Sequence, residues 1–185
     1  MLRKSLFAIL SLGLVLSTAS AQTINTSGRR YALPDNGFFV AQVPSDWKDQ
    51  LQQPPNRQPP TIVFSPGSGK SFQVLMTVIW PMPKDRSPLS RDELRSLVER
   101  SAQQAKSQAV ESELPVKEFQ GRSGPGFYFS ATDRAPKPGE YKFLTQGVMR
   151  VGQLSVAFTI LTNEGQELIV KQAFDLLKSA VHVGN

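Results

Sequence analysis

From Phe72 to Trp80 the chain places an apolar residue at every second position: Phe72, Val74, Met76, Val78 and Trp80 share one face. A period of two marks a half-buried strand. The run before it, Thr61 to Phe64, is β-branched and aromatic, and Pro66-Gly67-Ser68-Gly69 lies between the two runs, so this stretch predicts a β-hairpin with its tip at the glycines. Upstream, Tyr31 to Leu33 and Phe38 to Val43 flank Pro34-Asp35-Asn36-Gly37, a second strand pair around turn chemistry. Pro44 to Trp47 ends that pair. Asp49 to Pro60 carries two proline pairs and predicts an exposed, partly extended loop.

The period then changes. Ser90 and Glu93 stand at capping-box spacing, and Leu94, Leu97, Val98, Ala102, Ala105 and Ala109 follow at helical intervals, which predicts an amphipathic helix of about five turns. Pro115 closes it. Strand patterning returns over Val116 to Gln120, Gly126 to Thr132, Tyr141 to Val151 and Gln153 to Thr162. A last helix starts near Asn163, read as its cap, with a wide apolar stripe that includes Leu168, Ile169, Phe174, Leu176 and Leu177. Strands joined by tight turns are mostly antiparallel, and two amphipathic helices must cover the sheet. The fold class expected is therefore α+β, an antiparallel sheet covered by two long helices. Trp47, Trp80, Phe127 and Phe129 are expected in its core.

Residues 1–21 stand apart. Arg3 and Lys4 precede the apolar run Leu6 to Leu16, and Ala19-Ser20-Ala21 gives a small-x-small site before Gln22, the pattern of a secretory signal peptide. The run falls short of the ~20 apolar residues that span a bilayer, so export to the periplasm or medium is expected, with no membrane span. Residues 22–30 are polar and expected to be flexible, and 31–185 to form one domain. Without the leader, 19 basic residues face 15 acidic ones. That mild excess, met outside the cytoplasm, points to an envelope protein or an anionic cell-surface component as partner and away from nucleic acid. The chain has no cysteine, which removes disulfides, thiol catalysis and thiolate metal sites. Gln22, where a lipoprotein needs cysteine, implies no lipid anchor; a soluble monomer is expected.

The glycine-rich turn that ends in Gly69-Lys70-Ser71 invites a nucleotide-binding reading, but it fails on two counts. A phosphate loop needs a helix to follow and a glycine where Phe64 stands; a strand pattern follows instead. The sole histidine, His182, lies three residues from the chain end, a poor place for a catalytic base and read as solvent-facing. Asp92 and Glu93 are explained by helix capping, and Asp133 with Glu140 by a solvated loop. No cofactor or metal is expected: the usual zinc ligands and the alternating Asp/Asn calcium loop are both missing.

Tyr31, Gly37-Phe38-Phe39-Val40, Val43-Pro44 with Trp47, Gly126-Phe127-Tyr128-Phe129, Gly152-x-Leu154 and a terminal amphipathic helix occur in an order that resembles the PsbP-like superfamily. The resemblance covers nearly all of the chain after the leader. It implies an antiparallel sheet between helices, an α/β/α sandwich, and an extrinsic protein without catalytic activity that works by surface recognition. The residues themselves point to the loop Asp133 to Lys142. There Arg134, Lys137, Glu140 and Lys142 surround two prolines that limit the freedom lost on binding, and Arg122 lies in a neighbouring connection. These five form the expected recognition site. The alternatives are a carrier with an apolar cleft between helix and sheet and, third, a hydrolase using dispersed carboxylates.

Overall fold

A computed structural model describes residues 25–55, 58–81 and 87–184. The leader pattern at 1–21, the Asn56-Arg57 tip of the proline-flanked loop and part of the connector before the first helix lie outside the described residues. Ten strands and two helices follow in the order β1 (Thr26–Ala32), β2 (Phe38–Pro44), β3 (Trp47–Gln52), β4 (Thr61–Pro66), β5 (Gln73–Ile79), α1 (Arg91–Ala105), β6 (Lys117–Gly121), β7 (Gly124–Thr132), β8 (Phe143–Val151), β9 (Leu154–Thr162), α2 (Glu167–Ser179) and β10 (Val181–Val183). Every pairing is antiparallel, in one sheet of order β3-β4-β5-β9-β8-β7-β6 and a smaller one of order β1-β2-β10.

The alternation read from the sequence sets the faces of the large sheet. Ile62, Phe64, Val74, Met76, Val156, Phe158 and Ile160 point to one side, where α2 and the small sheet bury them together with Phe39, Val43, Leu176 and Leu177. On the opposite side α1 lays Leu94 and Val98 over Phe127, Phe129 and Ala131, with Leu144 and Val148 beside them. Phe127 and Phe129 are core residues, as is Trp47, while Trp80 is partly buried against the main cluster.

Two helices covering one sheet is thus too simple an expectation. Helix α1 lies over β7 and β8, and on the same face Val63, Leu75, Thr77 and Ala157 of the strands beyond stay partly exposed. Helix α2 shares its face with β1 and β2. The reason is length: α1 runs 15 residues, about four turns, and a helix ~10 Å wide spans only about two strands at ~4.8 Å spacing. Its start is as expected, with the Ser90 hydroxyl accepting from Glu93 N–H and the Glu93 carboxylate accepting from Ser90 N–H.

Several boundaries move. Strand β1 begins at Thr26, inside the segment expected to be flexible, because Arg29 reaches across to β3. Its guanidinium pairs with Asp49 and donates to the Trp47 carbonyl at 3.0 Å. That ion pair also explains β3, which was expected to be mostly loop: Trp47 and Leu51 face the core, and Arg29 neutralises the Asp49 between them. Helix α2 begins at Glu167, not at Asn163. Asn163 serves the loop instead, its Oδ1 accepting from Lys142 N–H (3.0 Å) and its N–H donating to Gln166 Oε1 (2.7 Å).

At the C-terminal end, Val181–Val183 pairs with Phe38–Val40. His182 is therefore not solvent-facing but half-buried, its ring Nε2 2.8 Å from the Asn36 carbonyl. Gly37, at φ +73°, is required where this last strand ends, because a Cβ there would stand 2.2 Å from the Val183 carbonyl oxygen.

Candidate functional site

The loop joining β7 to β8 carries four of the five expected recognition residues. It is held by its own polar groups. Asp133 Oδ1 accepts from Ala135 N–H (2.9 Å), an Asx turn at its entry. Lys137 N–H donates to Glu140 Oε2 (2.9 Å), and Glu140 N–H donates to the Lys137 carbonyl (2.9 Å), which closes the Pro136-Lys137-Pro138-Gly139 tip. Asp133 N–H donates to the Lys142 carbonyl at the exit (2.8 Å).

The same loop is tied to the end of α1. Arg134 N–H donates to the Gln108 carbonyl, and its guanidinium donates to the Ala109 carbonyl at 2.8 Å. Those carbonyls follow the end of the helix, where backbone acceptors lack intrahelical partners and a cation is favoured. Lys142 Nζ lies 2.6 Å from Glu164 Oε1 and 5.6 Å from the centroid of the Phe143 ring. The Lys142 ammonium, by hydrogen bond and then by charge, holds the Glu164 carboxyl below its ordinary range.

The expected cationic site is therefore divided in use. Arg134 and Lys142 are engaged within the protein, and the Lys137 side chain has no partner among the described residues. Arg122 does not join them. It sits in the β6–β7 turn, its N–H donating to the Lys178 carbonyl at the end of α2. The nine residues of β7 separate it from the loop by roughly 30 Å at ~3.3 Å per residue. Sequence proximity misled because one hairpin strand carries the chain from one pole of the sheet to the other.

Beside the loop, on the α1 face, lies a mostly apolar groove of about 170 Å³ between Ala105, Ala109, Leu144 and Leu161, with Tyr141 and Lys142 at its rim. On the α2 face a second groove of about 220 Å³ opens between β8 and the first turn of α2. Glu111, in the segment after α1, borders it. Its two carboxylate oxygens accept from the Thr132 N–H (2.9 Å) and hydroxyl (2.7 Å). Burial alone would raise the Glu111 pKa, but these bonds and one from its own backbone outweigh it, so the carboxyl stays ionised below its usual range. Nothing in the sequence signalled this site, because Glu111 reaches Thr132 only through the way α1 docks.

Asp133 and Glu140, the acids weighed for hydrolysis, each accept a backbone hydrogen bond in the loop and do not converge on a cleft. Among the described residues no group of three or more histidine, aspartate and glutamate side chains gathers as metal ligands, and no helix is long and apolar enough to cross a membrane. Lys70 is followed by β5 and not by a helix, so the glycine-rich turn lacks the helix N-terminus that phosphate binding requires.

No protein-family model and no curated protein matches the chain. Among solved structures, the chain is similar to the solution structure of cyanobacterial PsbP (CyanoP) from Synechocystis sp. PCC 6803. The two share 12% sequence identity with a TM-score of 0.49, over 90% of this chain and 99% of that one.

Proposed function

We propose that this chain is an exported accessory protein without catalytic activity, and that it recognises an envelope protein through the β7–β8 loop and the apolar groove beside it. The observation that carries the reading is the loop's pre-formed shape. Four internal hydrogen bonds and two prolines fix it before any partner arrives, so little conformational freedom is lost on docking. The groove next to it supplies apolar surface, with Tyr141 at the rim as an anchor of the kind enriched in binding hot spots.

A protein is favoured over a polyanion because Arg134 and Lys142 are already engaged, which leaves Lys137 as the loop's uncommitted cation. The carrier reading has less support: grooves of about 170 and 220 Å³ fall below the ~300 Å³ at which drug-sized ligand pockets begin.

A photo-crosslinking residue placed at position 137 tests the proposal in intact cells, with position 48 on β3 as the control. The expected result is a discrete adduct from position 137 that disappears when Tyr141→Ser is added and is absent from position 48. Equal adducts from both positions, or none from 137, would overturn it. Arg134 is left unaltered, since its replacement would disturb the loop itself.

A further inference from the structure

Three buried side-chain atoms have no hydrogen-bond partner among the described residues: the Tyr31 hydroxyl, the Trp47 indole Nε1 and Gln172 Oε1. Tyr31 and Trp47 both pack against Phe64 inside the main core. Gln172 differs, because it is only 7% exposed and yet lines an open groove of about 180 Å³ between α2 and the small sheet. A buried polar atom left unpaired is uncommon in a native structure, and one that borders a groove points to a donor that arrives from outside.

Near the end of α2 the Ser179 hydroxyl accepts the Gln42 N–H (2.9 Å), which ties the helix to β2. About two turns earlier Gln172 lines the groove, facing Thr26 at the start of β1 and Pro44 at the end of β2. Leu176 and Pro44 give apolar walls, and among the described residues that line the groove Asp175 alone carries a charge. Gln172 and Asp175 stand three positions apart, a spacing that puts side chains on one helix face. The Asp175 carboxylate is engaged through Oδ2, 3.0 Å from Lys171 Nζ, in an exposed pair of the kind that contributes little. Its other oxygen is left for a second donor.

Two neighbouring acceptors, one of them a carboxylate, favour a guest with several N–H donors and a positive charge. Apolar walls favour guanidinium over ammonium, since guanidinium is planar, forks its donors toward two acceptors and is the more weakly hydrated. Size selects the carrier: about 180 Å³ is below the ~300 Å³ at which pockets for free drug-sized ligands begin, but it takes the head of one side chain.

We propose that the groove between Thr26, Pro44, Gln172 and Asp175 receives an arginine side chain presented by a protein partner, with Gln172 Oε1 and the Asp175 carboxylate as its acceptors. The site stands independently of the β7–β8 loop. Titration of the full chain by ¹⁵N–¹H correlation spectroscopy tests it, because the side-chain amides of Gln172 and Gln42 report from the groove itself. The probes are arginine blocked at its α-amino and carboxyl groups, blocked citrulline, in which a neutral urea replaces the guanidinium, blocked lysine, and free arginine, all at matched ionic strength.

Saturable shifts at both side-chain amides are expected with blocked arginine, which should bind about fivefold tighter than blocked citrulline or blocked lysine. Gln172→Met keeps the stem and removes an unpaired buried atom, so the fold is preserved while binding weakens about tenfold. Asp175→Asn, on the exposed side of the groove, should weaken binding about threefold, and Lys171→Met, which frees the carboxylate, should tighten it about twofold. The proposal is overturned if blocked arginine does not saturate, or if blocked citrulline or blocked lysine binds as tightly. Tighter binding of free arginine would overturn it in favour of a free small guest, and parent-like binding by both Gln172→Met and Asp175→Asn would remove the two acceptors from the site.

Discussion

Replacing Arg134 by methionine separates a structural role for that residue from a recognition role. The change keeps a long apolar stem and removes the guanidinium that donates to the Ala109 carbonyl. A hydrogen bond from a charged donor contributes ~1.5–3 kcal/mol when shielded. Arg134 is exposed, and water replaces much of that, so about 1 kcal/mol of local stability is at stake. The loss falls on the loop and not on the core, since none of the buried clusters includes Arg134. Amide hydrogen exchange reads it directly. The N–H groups of Val110, Asp133 and Arg134, bonded to the carbonyls of Thr132, Lys142 and Gln108, should exchange about fivefold faster. Amides of β5 and β9 at the centre of the sheet should keep their rates, and Lys137→Met should leave the loop amides unchanged. Unaltered exchange at those three positions in the Arg134 variant would refute the assignment of the guanidinium as the loop's anchor.

Gly147→Ala should be among the most damaging single changes in the sheet. A Cβ there would lie 2.1 Å from the Phe127 carbonyl oxygen and 2.6 Å from the Phe158 ring, so a loss of more than about 4 kcal/mol or failure to fold is expected in chemical denaturation. Glu111→Gln should cost stability at neutral pH, and the cost should fade in acid. A carboxyl with a depressed pKa stabilises the fold above its ordinary value of 4.5 and loses that contribution as pH falls through the folded value, so urea unfolding of parent and variant should converge well below pH 4.5. The Tyr31 hydroxyl is buried without a partner, and burial, opposed in part by Arg29, pushes its pKa up from 10.0 to about 12. Ultraviolet titration should show one tyrosine ionising only near pH 12, with stability falling as pH rises from 10 toward that value. Tyr31→Phe, which removes an orphaned hydroxyl, should be neutral or stabilising by up to about 1 kcal/mol in thermal unfolding.

The elements legible in the sequence are those in which periodicity and turn chemistry agree. The β4–β5 hairpin carries alternation on both sides of a glycine-rich tip, and α1 carries its capping box and its apolar stripe together. Strands β3 and β10 were illegible for opposite reasons. In β3 the inward position at Asp49 breaks the alternation, and only the distant Arg29 makes it tolerable. In β10 the pattern is three residues long and follows directly on a helix expected to be terminal. The β7–β8 loop stands out in the sequence through its prolines and charges, but composition cannot tell engaged cations from free ones. That distinction rests on the Ala109 carbonyl and on Glu164, brought close by tertiary structure alone.

The small sheet has a further consequence for how the molecule is made. Strand β2 receives its second neighbour only from residues 181–183, more than 130 positions later, and the Ser179 hydroxyl accepts the Gln42 N–H on the same edge. A ribosome therefore releases almost the whole polypeptide before the first hairpin can be completed, so maturation is necessarily late. A chain arrested short of Ala180 would hold a bare strand edge in reach of any neighbour.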